Sequence, residues 1–149
     1  MNDISNIKFE VVEHRSPLYK KSIYVRYKLL RQPLGLKFTK QQMIEEEDQI
    51  HIIGEIGESV IASLVFKPFP DQHLRMRQVT VLEEYQGYGI GKRIVQFSEV
   101  IARERGCKEI FLHARKHVIP FYLKLGYKLR GKEFWEVGLP HREMYKEIG

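Results

Sequence analysis

The chain has 149 residues, of which 43% are hydrophobic and 30% are charged, and it carries a formal net charge of +6. This length and composition are typical of one globular domain over 1–149 and exclude the disordered, collagen-like and membrane-spanning classes. Its one cysteine excludes internal disulfides and thiolate zinc clusters, and no secretory leader or run of about 18 apolar residues is present, so we expect a cytoplasmic protein without a metal site.

After an opening strand, the first half of the chain predicts two helices. Ser16 and Pro17 form an N-cap and a first-turn proline, so a helix begins there, and we expect it to end before Pro33. Thr39 and Gln42 match the capping-box pattern, which predicts the start of a second, short helix.

Strand patterns and glycine-marked turns complete the predicted architecture. A tight turn at Gly57 and a loop over 67–70 separate neighbouring strands, and a turn over 138–140 joins the last two. Two further helices are predicted over 90–105 and 120–125. The predicted strands cover 7–12, 50–55, 60–66, 74–82, 107–114 and two segments within 127–148. The order βααβββαβαββ predicts an α/β sandwich with a mixed sheet.

The segment 85–91 contains three glycines at alternate positions directly before a helix. Glycine lets backbone N–H groups approach an anion closely, and a helix N-terminus adds a favourable field, so this pattern predicts a phosphate-binding loop. A nucleotide-hydrolysing P-loop is disfavoured because the glycine spacing differs and Arg93, not Ser or Thr, follows Lys92. Dinucleotide binding is disfavoured because Ile94 occupies the third glycine position of that fingerprint.

Two motifs resemble the GNAT superfamily of N-acetyltransferases. The run 86–91, QGYGIG, is similar to the family's pyrophosphate loop, and 79–81 precede it like the family's bulged strand. The run 121–127, FYLKLGY, is similar to the FYxKLGF helix, and the tail 134–144 with 112–115 further resembles the ElaA-type branch. The resemblance implies an α/β fold with a mixed, largely antiparallel central sheet flanked by helices.

The same resemblance implies acetyl-CoA as the co-substrate. Its pantetheine amides would pair with the backbone of Val79 and Val81, and its pyrophosphate would lie at the glycine loop. Arg115 stands at about the position where many relatives have an asparagine, so contacts from that side are expected to differ. The implied cofactor-binding residues are Val79, Thr80, Val81, Gln86, Gly87, Tyr88, Gly89, Ile90, Gly91, Lys92, Arg115, Phe121 and Lys124.

Direct acyl transfer in a ternary complex needs an acid, an oxyanion donor and a base. Tyr122 is the candidate acid, because a phenol stays protonated at neutral pH and can protonate a departing thiolate. A backbone N–H near Val81 is the expected oxyanion donor if the strand bulges there. His141 and Glu83 are candidate bases, and Cys107 is expected to be inert because it begins a buried strand. The other candidate bases left open are His73, Gln78, Glu84 and His113.

Several alternatives about partners stay open at this point. The acidic residues 45–48 would attract a cationic amine, whereas Arg26 and Arg31 favour an acceptor that carries a carboxylate. A non-catalytic acyl-CoA-binding or regulatory module is the alternative function. Net charge is the only support for a nucleic-acid binder, and an exposed edge at the hairpin 134–145 would suit a homodimer.

Overall fold

The computed structural model describes residues 4–36 and 39–149, and within them the chain forms seven strands and four α-helices. The strands are β1 (Lys8–Val12), β2 (Ile50–Ile56), β3 (Ser59–Phe69), β4 (His73–Val81), β5 (Glu109–Arg115), β6 (Lys128–Glu136) and β7 (Leu139–Glu147). The α-helices are α1 (Pro17–Arg26), α2 (Lys40–Glu45), α3 (Ile90–Glu104) and α4 (Ile119–Lys124). Shorter 3-10 turns lie at Ile4–Asn6, Gln32–Leu34, Glu83–Tyr85 and Lys116–Val118.

Both predicted helix starts in the first half are confirmed. The hydroxyl of Ser16 accepts a hydrogen bond from the backbone N–H of Tyr19 at 3.2 Å, and Pro17 occupies the first turn of α1. Thr39 and Gln42 form the reciprocal capping box at the start of α2. These caps satisfy backbone donors that the helix itself leaves unpaired.

The first helix changes its geometry before the predicted stop. It is α-helical as far as Arg26 and continues as a π-helical segment over Tyr27–Arg31, where the N–H of Gln32 donates to the carbonyl of Tyr27. Pro33 follows in a 3-10 turn. Proline has no N–H and its ring clashes with the carbonyl four residues earlier, so the α pattern cannot run on to Pro33.

All strands lie in one sheet with the order β1-β2-β3-β4-β5-β7-β6. Only β4 and β5 pair in parallel, from the pair His73 and Glu109 to the pair Met76 and Leu112, and the remaining neighbours pair antiparallel. The observed elements confirm the predicted order and the mixed, largely antiparallel sheet with helices on its faces.

The prediction of a loop over 67–70 is wrong for its first three residues, which belong to β3. Pro68 pairs with Leu74 of β4, and the turn instead uses Asp71 and Gln72, both with positive φ. Strand β2 no longer accompanies β3 beyond Phe66. A proline is tolerated there because that side of β3 has no neighbouring strand, so no inter-strand hydrogen bond is lost with the missing N–H.

The predicted turn over 138–140 is shifted by one position. Val137 and Gly138 form the turn with φ of 47° and 75°, and Pro140 already pairs with Trp135 in the hairpin. The pairing of β7 with β5 begins only at His141, so Pro140 faces no partner strand on that side. Two successive residues with positive φ match the twist that a two-residue hairpin requires.

The sheet buries a different apolar cluster on each face. One face packs on α3, whose Ile90, Ile94 and Val95 are almost fully buried. The other face packs on α1 in a smaller cluster around Tyr19 and Val25. No helix among the described residues combines the length and the apolar character needed to cross a membrane.

Candidate active site

A cleft opens where β4 and β5 part. Their parallel pairing ends at Met76 and Leu112, so the rest of β4 has no strand partner on that side. A β-bulge lies at this point: Val65 pairs with Arg77 and Ser63 with Thr80, so two residues of β4 face one of β3. The bulge bends β4 away from β5. The resulting cavity has a volume of ≈ 370 Å³.

The bulge is held by a contact from the first helix. Gln78 has a φ of 51°, a conformation that L-residues rarely adopt. Its side-chain oxygen accepts a hydrogen bond of 2.6 Å from Nε of Arg26. The bulge that the resemblance implied is present, centred on Gln78 and Val79 and therefore before Val81.

The glycine loop joins the open end of β4 to α3. Gly87 and Gly89 have φ of 86° and 78°, and Gly89 caps α3 without a side-chain hydrogen bond. The side-chain amide of Gln86 donates to the carbonyl of Val81 at 2.9 Å, which fixes the loop to the strand. A Cβ on Gly91 would lie 3.5 Å from the ring of Phe121, so the start of α3 touches α4. The first N–H groups of α3 therefore lie beside the cleft.

Tyr122 presents its phenol to the cleft from α4. The side chain is 7% exposed and lies among the cavity-lining residues, with the rings of Phe121 and Tyr127 edge-on at 5.0 and 5.6 Å. Burial raises the pKa of Tyr122 above its ordinary value. The phenol therefore stays protonated at neutral pH, and its hydroxyl has no hydrogen-bond partner among the described residues.

A cluster of three polar residues, Arg75, His113 and Glu136, lines the cavity. Nδ1 of His113 donates to Oε2 of Glu136 at 2.8 Å and lies 2.9 Å from Nη2 of Arg75, and Nη2 of Arg75 donates to Oε1 of Glu136 at 3.3 Å. Burial alone would raise the pKa of Glu136, but the hydrogen bond from His113 and the charge of Arg75 hold it below its ordinary value. The cluster therefore contains an ionised carboxylate.

His141 is a buried histidine on the same wall of the cavity. It is 4% exposed, and its Nδ1 lies 2.9 Å from the carbonyl of Leu139. Because a carbonyl only accepts, Nδ1 carries the hydrogen in this contact, which leaves Nε2 as the basic nitrogen of the neutral ring.

The structure brings together only some of the residues that the sequence predicts for the site. Residues of the predicted set that line the cavity are Val79, Thr80, Val81, Gln86, Arg115, Tyr122 and His141. Members of the set that lie outside the cavity wall, in the adjoining loop and in α3 and α4, are Gly87, Tyr88, Gly89, Ile90, Gly91, Lys92, Phe121 and Lys124. Glu83 is exposed in a 3-10 turn and does not line the cavity.

Cys107 lies outside the cavity wall, as a buried thiol that donates to the carbonyl of Glu109 at 3.2 Å. Burial, the largest influence on it, raises the pKa of Cys107. A protonated, inaccessible thiol is a poor nucleophile.

Glu46 in the acidic stretch and Arg26 in the first helix pair with each other in the interior and do not face an acceptor. Glu46 is 3% exposed and pairs with Arg26, which is fully buried, so neither reaches the cavity. Burial would raise the pKa of Glu46, but the hydrogen bond and charge of Arg26 hold it below its ordinary value. The expectation that Arg26 meets an acceptor is wrong, whereas Arg31 does line the cavity.

Sequence reasoning missed four polar residues of the cavity, Arg75, Arg77, His117 and Glu136. A signal for two of them is present in β4, where charged residues at positions 75 and 77 alternate with buried Leu74 and Met76. Such alternation marks a strand with one polar face.

Comparison with known proteins agrees with this geometry. Residues 14–127 match the Acetyltransferase (GNAT) family. The Bacillus subtilis (strain 168) protein YyaT is 32% identical over 121 residues, which are 74% of this chain and 82% of YyaT. The crystal structure of Escherichia coli ElaA superposes with a TM-score of 0.81 at 19% identity, over 95% of this chain and 99% of ElaA. At this identity the likeness shows the fold, and membership of the ElaA-type branch stays a prediction.

A GNAT family acetyltransferase from Elizabethkingia anophelis, crystallised with acetyl-CoA bound, superposes with a TM-score of 0.73 at 16% identity. The alignment covers 96% of this chain and 99% of that one. The match over residues 14–127 includes the cleft strand, the glycine loop and α4. The chain therefore belongs to the GNAT family of acetyltransferases.

Proposed function

We propose that this protein transfers an acetyl group from acetyl-CoA to an amine acceptor by direct transfer in a ternary complex. The observation that carries the proposal is the continuity of the cleft. It leads from the exposed glycine loop, past the unpaired backbone of β4, to the largely buried side chain of Tyr122. Family membership and the acetyl-CoA bound to the Elizabethkingia anophelis protein support the choice of co-substrate.

The residues present suit acetyl-CoA. Backbone N–H groups at the start of α3 would bind the pyrophosphate, with Lys92 and Lys124 as exposed cations for the remaining phosphate. The backbone of Val79 and Val81 would pair with the pantetheine amides. The hydroxyl of Thr80 is buried without a hydrogen-bond partner among the described residues, as expected where a bound molecule supplies one.

Acetyl transfer requires the acceptor nitrogen to form a bond to the thioester carbonyl carbon as the carbon–sulfur bond breaks. In the proposed reaction Tyr122 donates its proton to the departing thiolate and is reprotonated from solvent. Nε2 of His141, directly or through a water, removes the proton that the amine must lose. Backbone N–H groups at the bulge of β4, around Val79, would stabilise the oxyanion. Glu83 is a weaker candidate base because it lies off the cavity wall.

The test has two stages. Calorimetry with CoA and acetyl-CoA measures binding, and release of free CoA thiol in the presence of a panel of amines measures transfer. We expect binding together with acceptor-dependent thiol release. Binding without release from any amine would favour the non-catalytic acyl-CoA-binding module. The absence of binding would overturn the proposal.

A further inference from the structure

The cavity wall carries an excess of positive charge on one face of the sheet. Along β4 and β5, side chains that pack against α3 alternate with side chains that point to the opposite face of the sheet. Helix α1 lies on that opposite face. Register places His141 beside Arg115 on this opposite face. Among the described lining residues the arginines are Arg31, Arg75, Arg77 and Arg115, and the only carboxylate is Glu136.

Arg75 and Arg77 have acidic neighbours. Arg75 donates to Glu136, and Arg77 lies 3.8 Å from Glu46 and donates to Gln49 at 2.8 Å. Their charges are therefore at least partly balanced within the protein.

Arg115 differs from these arginines. Its side chain is half-buried at the end of β5, and it has no hydrogen bond or ion pair with any residue in the described part of the chain. Burial and then the charge of Arg31 lower the pKa of Arg115, whereas Glu136 acts in the opposite direction. A half-buried guanidinium beside a second cation is stabilised when an anion binds, because its five donors suit a carboxylate or a phosphate.

The phosphates of a bound acetyl-CoA are a poor match for this guanidinium. The proposed pyrophosphate site lies at the start of α3, on the face of the sheet that Ile110 and Leu112 of β5 cover. Arg115 points to the other face, where the 3-10 and π-helical segments after α1 form the wall with Leu30, Arg31 and Leu34. An acceptor would reach the thioester from this side.

We propose that the acceptor amine carries an anionic group, a carboxylate or a phosphate, and that Arg115 together with Arg31 binds that group. This inference rests on the proposed acetyl transfer and adds the class of the acceptor. The arginines would orient the acceptor so that its amine lies toward His141 and its anion lies away from the thioester.

The experiment compares amines in matched pairs at saturating acetyl-CoA. Each pair contains an amine with an anionic group and a relative without one: glycine and glycinamide, β-alanine and 3-aminopropanol, 4-aminobutyrate and 4-aminobutanamide, and 2-aminoethyl phosphate and ethanolamine. We expect kcat/KM to favour the anionic member by about tenfold or more in at least one pair, because a hydrogen bond between two charged groups is stronger than one between neutral groups. The phosphate and carboxylate pairs then distinguish the two anions.

The variant Arg115→Gln should reduce this preference toward equality through a higher KM for the anionic acceptor. Arg105→Gln removes the same charge from the exposed end of α3 and serves as the matched control, with the preference retained. Equal use of both members of every pair by the native protein would overturn the inference, as would an Arg115→Gln preference equal to the native one. A parallel loss of CoA affinity in Arg115→Gln would assign Arg115 to the cofactor and also overturn it.

Failure of the underlying function has a different signature. If CoA binds but no amine is acetylated, calorimetric titration of the CoA-saturated protein with the four anionic amines still tests the inference. Binding that Arg115→Gln weakens supports an anionic ligand at this site. The absence of binding by all four overturns the inference.

Discussion

Arg26 and Glu46 pair in the interior, with Nη1 of the guanidinium donating to Oε1 of the carboxylate at 3.0 Å. Tyr19 donates to the same oxygen at 2.9 Å, and Nε of Arg26 reaches Gln78 at the bulge of β4. One ion pair therefore joins α1, the end of α2 and the strand that borders the cleft. Both side chains are almost fully buried, so each helps to balance the charge of the other.

We expect Glu46→Gln to lower the free energy of unfolding by about 3–5 kcal/mol, because it removes the carboxylate that pairs with the buried Arg26. Urea denaturation followed by circular dichroism measures the change. Glu45→Gln, one residue earlier and exposed, removes the same charge and should stay within about 0.5 kcal/mol of the native protein.

The double variant Arg26→Met with Glu46→Leu removes the whole ion pair, so its stability can be compared with that of Glu46→Gln, which removes only the carboxylate. Since a buried ion pair is often replaceable by apolar residues, we expect the double variant to be more stable than Glu46→Gln. A double variant no more stable than that single one would mean that the hydrogen bonds to Tyr19 and Gln78, and not the unbalanced charge, account for the loss.

The same pair predicts a component of acid unfolding. The pKa of Glu46 is lower in the folded protein than the ordinary value, so the folded state binds fewer protons than the unfolded state in that range. Its stabilising contribution is complete well above the ordinary glutamate pKa of about 4.3 and is lost as pH falls through that value toward the lowered one. Stability measured from pH 7 to pH 3 should fall more steeply in the native protein than in Glu46→Gln. Parallel curves would contradict this assignment.

Tyr122→Phe should lower kcat by about a hundredfold, the lower range for a lost general acid, with the Kd for CoA retained. Steady-state thiol release and calorimetry make the two measurements. Tyr127→Phe is the matched control, because Tyr127 packs against Tyr122 but donates to Glu99 away from the cavity. We expect this control to lose stability and keep its kcat. A native kcat in Tyr122→Phe would remove the proposed acid role.

Gly89→Ala should weaken CoA binding by more than it destabilises the fold. Alanine at a positive φ is strained, at a cost of about 1 kcal/mol. Gly57→Ala in the β2–β3 turn meets the same strain, and at both positions an added Cβ would have no atom within 4 Å. Thermal unfolding with and without CoA therefore compares two variants with the same backbone strain, one in the glycine loop and one outside it. We expect both variants to unfold at lower temperature and only Gly89→Ala to lose the CoA-dependent shift.

Local rules predicted those parts of the fold that depend on neighbouring residues. The caps at Ser16 and Thr39 and the order of strands and helices are confirmed because each depends on spacing over a few residues. The prolines at 68 and 140 were misread as turns because tolerance for proline in a strand depends on whether another strand lies alongside.

In the candidate site, too, only features defined by neighbouring residues could be predicted from the sequence. The acidic stretch is expected to attract a cationic amine, and nothing near Glu46 in the sequence indicates that Arg26, twenty residues earlier, meets it in the interior. The bulge at Gln78 likewise depends on tertiary contacts with Arg26. The glycine loop and the motif in α4 could be recognised in the sequence because the residues that define each of them are contiguous.

The burial of Cys107 has a practical consequence for experiments on this protein. Its thiol is the only one in the chain, is hidden in the folded state and is held in its protonated form by its surroundings. Maleimide dyes attack exposed thiolates, so the native protein should resist labelling until it unfolds. A cysteine introduced in place of the exposed Trp135, at the outer edge of the sheet, would then carry a fluorophore at a single known position without removal of the natural one.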